Sequence, residues 1–246
     1  MHLIEKAKSV RFYMKNRHLL PYSSLNLDIH MYKQYRQLWI EQLQIGTVFD
    51  IGANIGQAAL VLSQVFPNAT IHSFEPLPDC YETLSKLTSK LPNLVTYNLA
   101  LGNYNGDAPF ERNQHTVSSS MLTMASVHVA NFPETAISTT VTVPVMQLDE
   151  AAKSMTIKRN LLVKIDVQGY EMQVIEGGRN TLREATIVIA ETSFVPMYEG
   201  QALFCDIVDA MQSLGFYYAG AFDQLHSPRD GRLLQQDAIF LKSEQN

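Results

Sequence analysis

The run TVFDIGANIGQAAL at Thr47–Leu60 restricts the fold of this chain more than any other stretch. Thr47–Ile51 is short, β-branched and aromatic, the pattern of a buried strand. Gly52 and Gly56 then punctuate a loop, and Gln57–Phe66 carries apolar residues at helical spacing. A strand that enters a glycine loop and leaves as a helix is the first half of a βαβ unit. The unit recurs along the chain. Ala69–Phe74 reads as a second strand closed by Glu75-Pro76, Asp79–Ser89 as a second helix and Leu94–Leu99 as a third strand. Leu161–Ile165 is a fourth strand ending at Asp166, followed by a helix over Gln168–Glu176 and a fifth strand, Thr186–Ala190, ending at Glu191. Phe204–Leu214 is a helix stopped by Gly215, and Phe216–Gly220 with Ala238–Lys242 reads as an antiparallel hairpin at the sheet edge. The fold class is therefore α/β, a Rossmann-like doubly wound and mostly parallel sheet with helices on both faces.

Two stretches stand outside this alternation. Residues 1–45 read as a helical N-terminal extension, a cap or lid, with Ile29, Tyr32, Tyr35, Leu38 and Trp39 close to one face. The main domain is expected over 46–246, with an insertion at about 102–145 that contains a Gly-Asn-Tyr-Asn-Gly turn, the polar Ser118–Ser120 and a strand at Thr139–Val145. That insertion is placed to cap a substrate pocket at the end of the sheet.

Bulk properties narrow the setting. With 246 residues, 46% hydrophobic and 17% charged, the chain can bury one sizeable core. A net charge of −5 offers no broad basic surface for phosphate backbones, so no nucleic-acid partner is expected. Cys80 and Cys205 form no CxxC pair and no disulfide framework, which points to a reduced, cytoplasmic setting. The opening MHLIEKAKSVRFYMKNRHLL has charges throughout and is not a signal peptide, and no apolar run reaches membrane-spanning length. Lys6, Lys8, Arg11, Lys15 and Arg17 read as a solvated helix face rather than a membrane contact.

In open α/β sheets a ligand lies beyond the carboxyl ends of the strands, where the Gly52 loop must sit. Gly52 permits a sharp turn and lets a ligand approach bare backbone, and Gly56 permits close packing at the helix start. Glu75, ending the second strand, is placed to accept hydrogen bonds from both hydroxyls of a ribose. The glycine spacing departs from G-x-G-x-x-G, and the Asp50 carboxylate suits the ammonium of a methionine moiety better than a pyrophosphate. S-adenosylmethionine is thus favoured over NAD. Taken singly, Asp50 has a plain reading as a turn cap and Glu75-Pro76 as a strand end. An NAD-dependent oxidoreductase and a catalytically silent nucleoside-binding scaffold stay open as rival readings.

Catalytic candidates cluster at the later strand ends. Asp166, Glu171 and Glu191 can surround one acceptor, with Asp166 or Glu171 as general base. Lys164 shares the strand face of Asp166 and can hold it ionised or orient it. Glu171 has the alternative role of stabilising its helix N-terminus. The three carboxylates offer oxygen ligands suited to magnesium, but no tight acidic pair is present and no metal site is assigned. His115 and His226 are loop histidines with an acid–base option and a simpler solvent-exposed reading. Tyr32, Trp39, Met121 and Met124 read as packing residues.

Together VFDIGANIGQAAL, HSFEP, NLALGN, SSSM, LLVKIDVQGYEMQVIEGG and QQDAIFLK resemble the FkbM family of S-adenosylmethionine-dependent methyltransferases, in order from about residue 45 to 242. The resemblance implies a seven-stranded class I methyltransferase sheet with its last strand antiparallel. It also implies O-methylation of a hydroxyl (or carboxyl) on a sugar, glycan or secondary metabolite. Carried onto this chain, it assigns Asp50, Gly52, Ala53, Asn54 and Gly56 to the methionine part of the cofactor, and Glu75-Pro76 to the ribose. It places Asn98, Ala100 and Leu101 near the adenine, and Asp166 at the methyl-transfer centre. The family usually reads D-V-E-G-x-E, and Gln168 stands here in place of the first glutamate. On this reading, Glu75→Ala weakens cofactor binding about tenfold or more in calorimetry, whereas an unchanged Kd removes Glu75 from the site. Asp166→Asn is expected to abolish most turnover with the circular dichroism spectrum retained; full activity removes Asp166 from the chemistry.

Overall fold

A computed structural model describes residues 2–243, with side chains from residue 9 onward, so His2, Lys6 and Lys8 as side chains and residues 1 and 244–246 lie outside the described residues. The N-terminal stretch folds as α1 (His2–Lys15), a 3-10 segment (Arg17–Leu25), α2 (Ile29–Tyr35) and α3 (Leu38–Glu41). The Asp28 carboxylate caps α2 by accepting the backbone N–H groups of His30 and Met31. Next come β1 (Thr47–Ile51), α4 (Gln57–Val65), β2 (Thr70–Phe74), α5 (Pro78–Ser85) and β3 (Leu94–Tyr97). The middle supplies β4 (Ala100–Gly102), β5 (Gly106–Asn113), α6 (Ser126–Asn131), β6 (Ser138–Gln147) and α7 (Leu148–Ala152). Alternation resumes with β7 (Leu161–Ile165), α8 (Glu171–Gly177), α9 (Arg179–Arg183), β8 (Ala185–Ser193) and α10 (Phe204–Ser213). Two long strands, β9 (Phe216–His226) and β10 (Leu233–Lys242), follow.

Seven strands form the main sheet in the order β3-β2-β1-β7-β8-β10-β9. The strands from β3 to β8 pair in parallel, while β10 runs antiparallel to both β8 and β9. The central strands β1 and β7 are buried along their whole length, which explains why they read as nearly continuous apolar runs. One sheet face carries Val48, Ile71, Leu162, Ile187 and Ile239 against α4 and the N-terminal Leu19, Tyr32, Tyr35 and Ile40. The other packs Phe49, Ile51, Val163, Ile165 and Phe240 on Val174, Ile175, Ile207 and Met211 of α8 and α10. Because β1 connects towards β2 on one side and sits beside β7 on the other, the loops leaving β1 and β7 part and leave a crevice between them.

Several boundaries differ from the sequence reading. The third strand ends at Tyr97 rather than Leu99, and the chain re-enters at Ala100 as part of a second sheet, order β4-β6-β5. The turn is held by Asn98, whose Nδ2 donates to the carbonyls of Glu75 and Pro76, both at 2.9 Å. The helix expected from Gln168 begins at Glu171, because Gln168 (φ 55°) and Gly169 (φ 97°) are left-handed. The last two strands extend well beyond Phe216–Gly220 and Ala238–Lys242. In the N-terminal stretch Tyr32 and Tyr35 are buried, but the chain leaves α2 at Arg36 and turns Leu38 outward, 69% exposed. Among the described residues no helix is long and apolar enough to cross a membrane.

The second sheet is locked to the first through Gly177 in α8. A Cβ at that position would overlap the carbonyl oxygen of Gly102 on β4. An ordinary helical Gly→Ala change stabilises by up to about 1 kcal/mol. Here overpacking reverses the sign: Gly177→Ala is expected to destabilise by roughly 1–3 kcal/mol. Urea denaturation checks this, and a stabilised variant contradicts the tight α8–β4 contact.

Candidate functional site

A cavity of about 190 Å³ opens at the carboxyl ends of β1, β2 and β7. Its floor is the Gly52 loop. The N–H groups of Gly52 and Ala53 both donate to the Phe74 carbonyl, at 3.0 and 2.9 Å, so the loop folds across the end of β2. Gly52 has φ 84°, and a Cβ there would overlap the carbonyl oxygen of Asp166. Only glycine fits that approach. Asn54 completes the loop with φ 48° and donates its backbone N–H to Glu75 Oε2 at 2.8 Å.

Glu75 links two loops. Its Oε1 accepts the Leu77 N–H at 2.8 Å while Oε2 holds Asn54, so the loops after β1 and β2 hang from one carboxylate. The group is buried yet faces the cavity. Burial pushes its pKa up to about 7, against the lowering effect of the two backbone donors. Ala53, Asn54, Pro76, Leu99, Ala100 and Leu101 line the same space. Asn98 does not; it serves the turn below. Gly56 has φ 95° and packs beneath Leu84 and Leu87, outside the cavity lining.

Asp50 also sits behind the wall. It is fully buried, Oδ2 accepts the Ser73 hydroxyl at 3.0 Å, and Oδ1 has no partner among the described residues. Burial raises its pKa, opposed by Lys164, which lies opposite it in the β1–β7 register.

The roof comes from the middle segment and the N-terminal stretch. Thr116, Val117, Ser119 and Met121 face the cavity, and the Thr116 hydroxyl donates to Asn54 Oδ1 at 3.0 Å. Met31 of α2 reaches the cavity as well. Ser120 instead donates its hydroxyl to the Gln168 carbonyl at 2.6 Å. His115 and His226 do not line the cavity, and Met124 packs under Tyr198 in a small apolar cluster.

The far end is ionic. Lys164 Nζ lies 2.9 Å from Asp166 Oδ2, with side chains 7% and 32% exposed. Burial opposes the lysine's charge, but Asp166 and Asp50 outweigh it and raise its pKa, so it stays protonated. Burial likewise works against an ionised Asp166, yet Lys164 and the hydrogen bonds it receives hold the carboxyl below its usual range. Both residues line the cavity. Glu171 and Glu191 do not. Glu171 Oε1 accepts the N–H groups of Val167 and Gly169, each at 3.1 Å, and so closes the turn ahead of α8; burial lifts its pKa to about 7. Glu191 lies one strand further on, its pKa raised well above the ordinary value by burial and by Asp166, Glu171 and Asp237. Among the described residues no three His, Cys, Asp or Glu side chains converge in a metal-holding group.

Sequence reasoning missed four residues here. Asp237 stands opposite Glu191 in the β8–β10 register, and burial lifts its pKa to about 6. Gln235 donates to Glu191 Oε2 at 2.9 Å. Tyr198 donates its hydroxyl to Gln168 Oε1 at 3.0 Å, and Met31 reaches the cavity from the N-terminal stretch. The alternation of Gln235 and Asp237 on one strand face was a usable signal for those two. Tyr198 and Met31 had none, because both arrive from irregular or distant segments.

The Methyltransferase FkbM domain matches residues 50–218 of this chain. Hexuronic acid methyltransferase AglP of Haloferax volcanii is 27% identical over 157 residues, 63% of this chain and 59% of that protein. This chain thus spans little more than half the length of that relative. 2-O-methyltransferase NoeI of Sinorhizobium fredii is 26% identical over 173 residues, 68% of this chain and 71% of that protein. A solved methyltransferase FkbM from Methylobacillus flagellatus KT shares the fold at a TM-score of 0.52 and 12% identity, covering 88% of this chain and 48% of its own. The family match agrees with the sequence's expectation of a methyltransferase that uses S-adenosylmethionine, on a seven-stranded class I sheet. With more than half of its length matched, this chain belongs to the FkbM methyltransferase family.

Proposed function

We propose that this chain is an O-methyltransferase whose acceptor is a hydroxyl (or carboxyl) of a small molecule or glycan, a sugar foremost. One observation carries the reading. Glu75 and Asp166, carboxylates at the ends of β2 and β7, face a single cavity divided by the bare backbone of Gly52. The sugar preference draws on the two relatives, one named for hexuronic acid and the other as a 2-O-methyltransferase. A net charge of −5 weighs against a nucleic-acid acceptor. The free thiols of Cys80 and Cys205 support a cytoplasmic setting.

The cavity fits S-adenosylmethionine. Gly52 bares its backbone to the cavity, and Glu75, facing the same space, keeps lone pairs beyond its two backbone bonds. Asp50 Oδ1, buried without a partner, adds an unused acceptor beside the loop. When bound, the cofactor supplies an electrophilic methyl group on a sulfonium. Gly52, Ala53 and Asn54 would hold its methionine part, Glu75 with Pro76 its ribose, and Leu99, Ala100 and Leu101 its adenine. Asp50 stands behind the wall, outside the cavity lining, and supports the loop rather than touching the cofactor. Asp166 accepts the proton that leaves the acceptor hydroxyl, and Lys164 keeps Asp166 ionised for that task. Glu171 shapes the turn that presents Asp166, and Glu191 backs it from the next strand.

Transfer of a labelled methyl group from S-adenosylmethionine to a panel of neutral, N-acetylated and uronic oligosaccharides tests the reading. Label on a sugar oxygen is the expected result; S-adenosylhomocysteine that fails to bind in calorimetry defeats it. The state of Glu75 adds a pH signature. Ribose hydroxyls donate to the ionised carboxylate, so protonation below about pH 7 competes with binding. Cofactor affinity is expected to fall about tenfold from pH 8 to pH 6. Glu75→Gln should bind weakly and flatly across that range; a wild-type Kd independent of pH contradicts the ribose assignment.

A further inference from the structure

Among the described residues, the Gln168 side chain is the one group that hydrogen-bonds to both Asp166 and Glu191. Its Nε2 donates to Asp166 Oδ1 and to Glu191 Oε2, each at 2.9 Å. Asp166, held ionised, can only accept, so the amide nitrogen faces it and Glu191 while the amide oxygen faces away. The oxygen is met by the Tyr198 hydroxyl at 3.0 Å. The backbone is pinned as well. Gln168 has φ 55°, and its carbonyl accepts the Ser120 hydroxyl at 2.6 Å. Neither the side chain nor its attachment point is free to turn. This is an expensive conformation for a residue with a Cβ, and it places a neutral double donor between two acids.

We propose that Gln168 is a positioning residue for proton removal: its carboxamide fixes Asp166 toward the acceptor while tethering Glu191, and so sets the pH at which Asp166 is ready to take a proton. The proposal rests on the reading that Asp166 receives the acceptor's proton. Lys164 occupies Asp166 Oδ2, so Oδ1 is the oxygen whose orientation Gln168 decides. Groups on every packed element bear on this carboxylate. Lys164 on β7 and the Gln168 amide favour its charge, and that charge in turn raises the pKa of Asp50 on β1, Glu191 on β8, Asp237 on β10 and Glu171 on α8. Tyr35 on α2 and Tyr198 after β8 are buried phenols that also feel the Asp166 charge. Without the amide donor, the hydrogen bond that helps hold the Asp166 carboxyl low is lost. Asp166 then takes up its proton at higher pH.

The test reads Asp166 directly on the full chain, without cofactor or acceptor. Aspartate is labelled with 13C at the carboxyl, and the Asp166 resonance is identified by its loss in Asp166→Asn. In Gln168→Met, which keeps length and removes both donors, the Asp166 midpoint is expected to move up by about one pH unit. Tyr198→Phe, which removes only the hydroxyl that orients the amide, is expected to move it less and in the same direction. It stands as the deciding variant if Gln168→Met does not fold. A midpoint unchanged from wild type in a folded variant overturns the proposal, since a residue that only supports the turn alters stability without moving this titration. Methyl transfer by Asp166→Asn judges the underlying reading separately, so the two can fail independently.

Discussion

The contact on which the rest of the site depends is the approach of Gly52 to the carbonyl of Asp166. The Asp166 N–H donates to the Ile51 carbonyl at 3.0 Å, and the absent Gly52 side chain lets the next step of backbone pass the Asp166 oxygen. Two central strands thereby stay paired to their last residue before their loops diverge. Any larger residue would part them one step sooner. The floor of the cavity, the reach of Asn54 to Glu75 and the placement of Asp166 all follow from that narrow passage.

Around it the protein arranges charge unevenly. At one end Glu75 is held by two backbone donors and no cation, so burial dominates and its pKa rises to about 7. At the other, a buried ammonium neutralises a carboxylate row that spans β1, β7, β8 and β10. Lys164 is the cation that resolves this row, and it does so at strand positions where register, rather than side-chain reach, puts the acids beside it. Acids that share one cation cannot all ionise together, and they are therefore driven to different protonation states.

Much of this was legible in the sequence because it is local. The strand, its glycine loop and the helix after it lie within one short run, and an acid ending the second strand has one place to point. The i, i+2 parity that puts Lys164 and Asp166 on one face is likewise a property of the strand itself. What sequence could not give is non-local or conformational. Asp50 precedes the loop and so reads as a contact, but strand parity turns it inward onto Ser73 and Lys164. Gln168 carries no helix-breaking signal, yet Gly169 and the Glu171 carboxylate draw it into a left-handed turn. Asn98 reads as the end of a strand, whereas the Glu75 and Pro76 carbonyls pull it into a corner between two sheets. Asp237 meets Glu191 only because β10 inserts beside β8, a pairing that no window of residues near either one contains.

That insertion has a consequence for how the molecule is assembled. Among the described residues β9 pairs within the sheet only with β10, so residues 216–226 gain their ladder partner only when residues 233–242 are in place. Residues 233–242 must slot between them and β8. Until they do, the flank of β8 stays unpaired, a long apolar strand edge of the kind that invites mispairing with other chains. Folding therefore includes a step in which β10 closes the flank of β8, and an insertion that misses its place leaves the sheet exposed on one side.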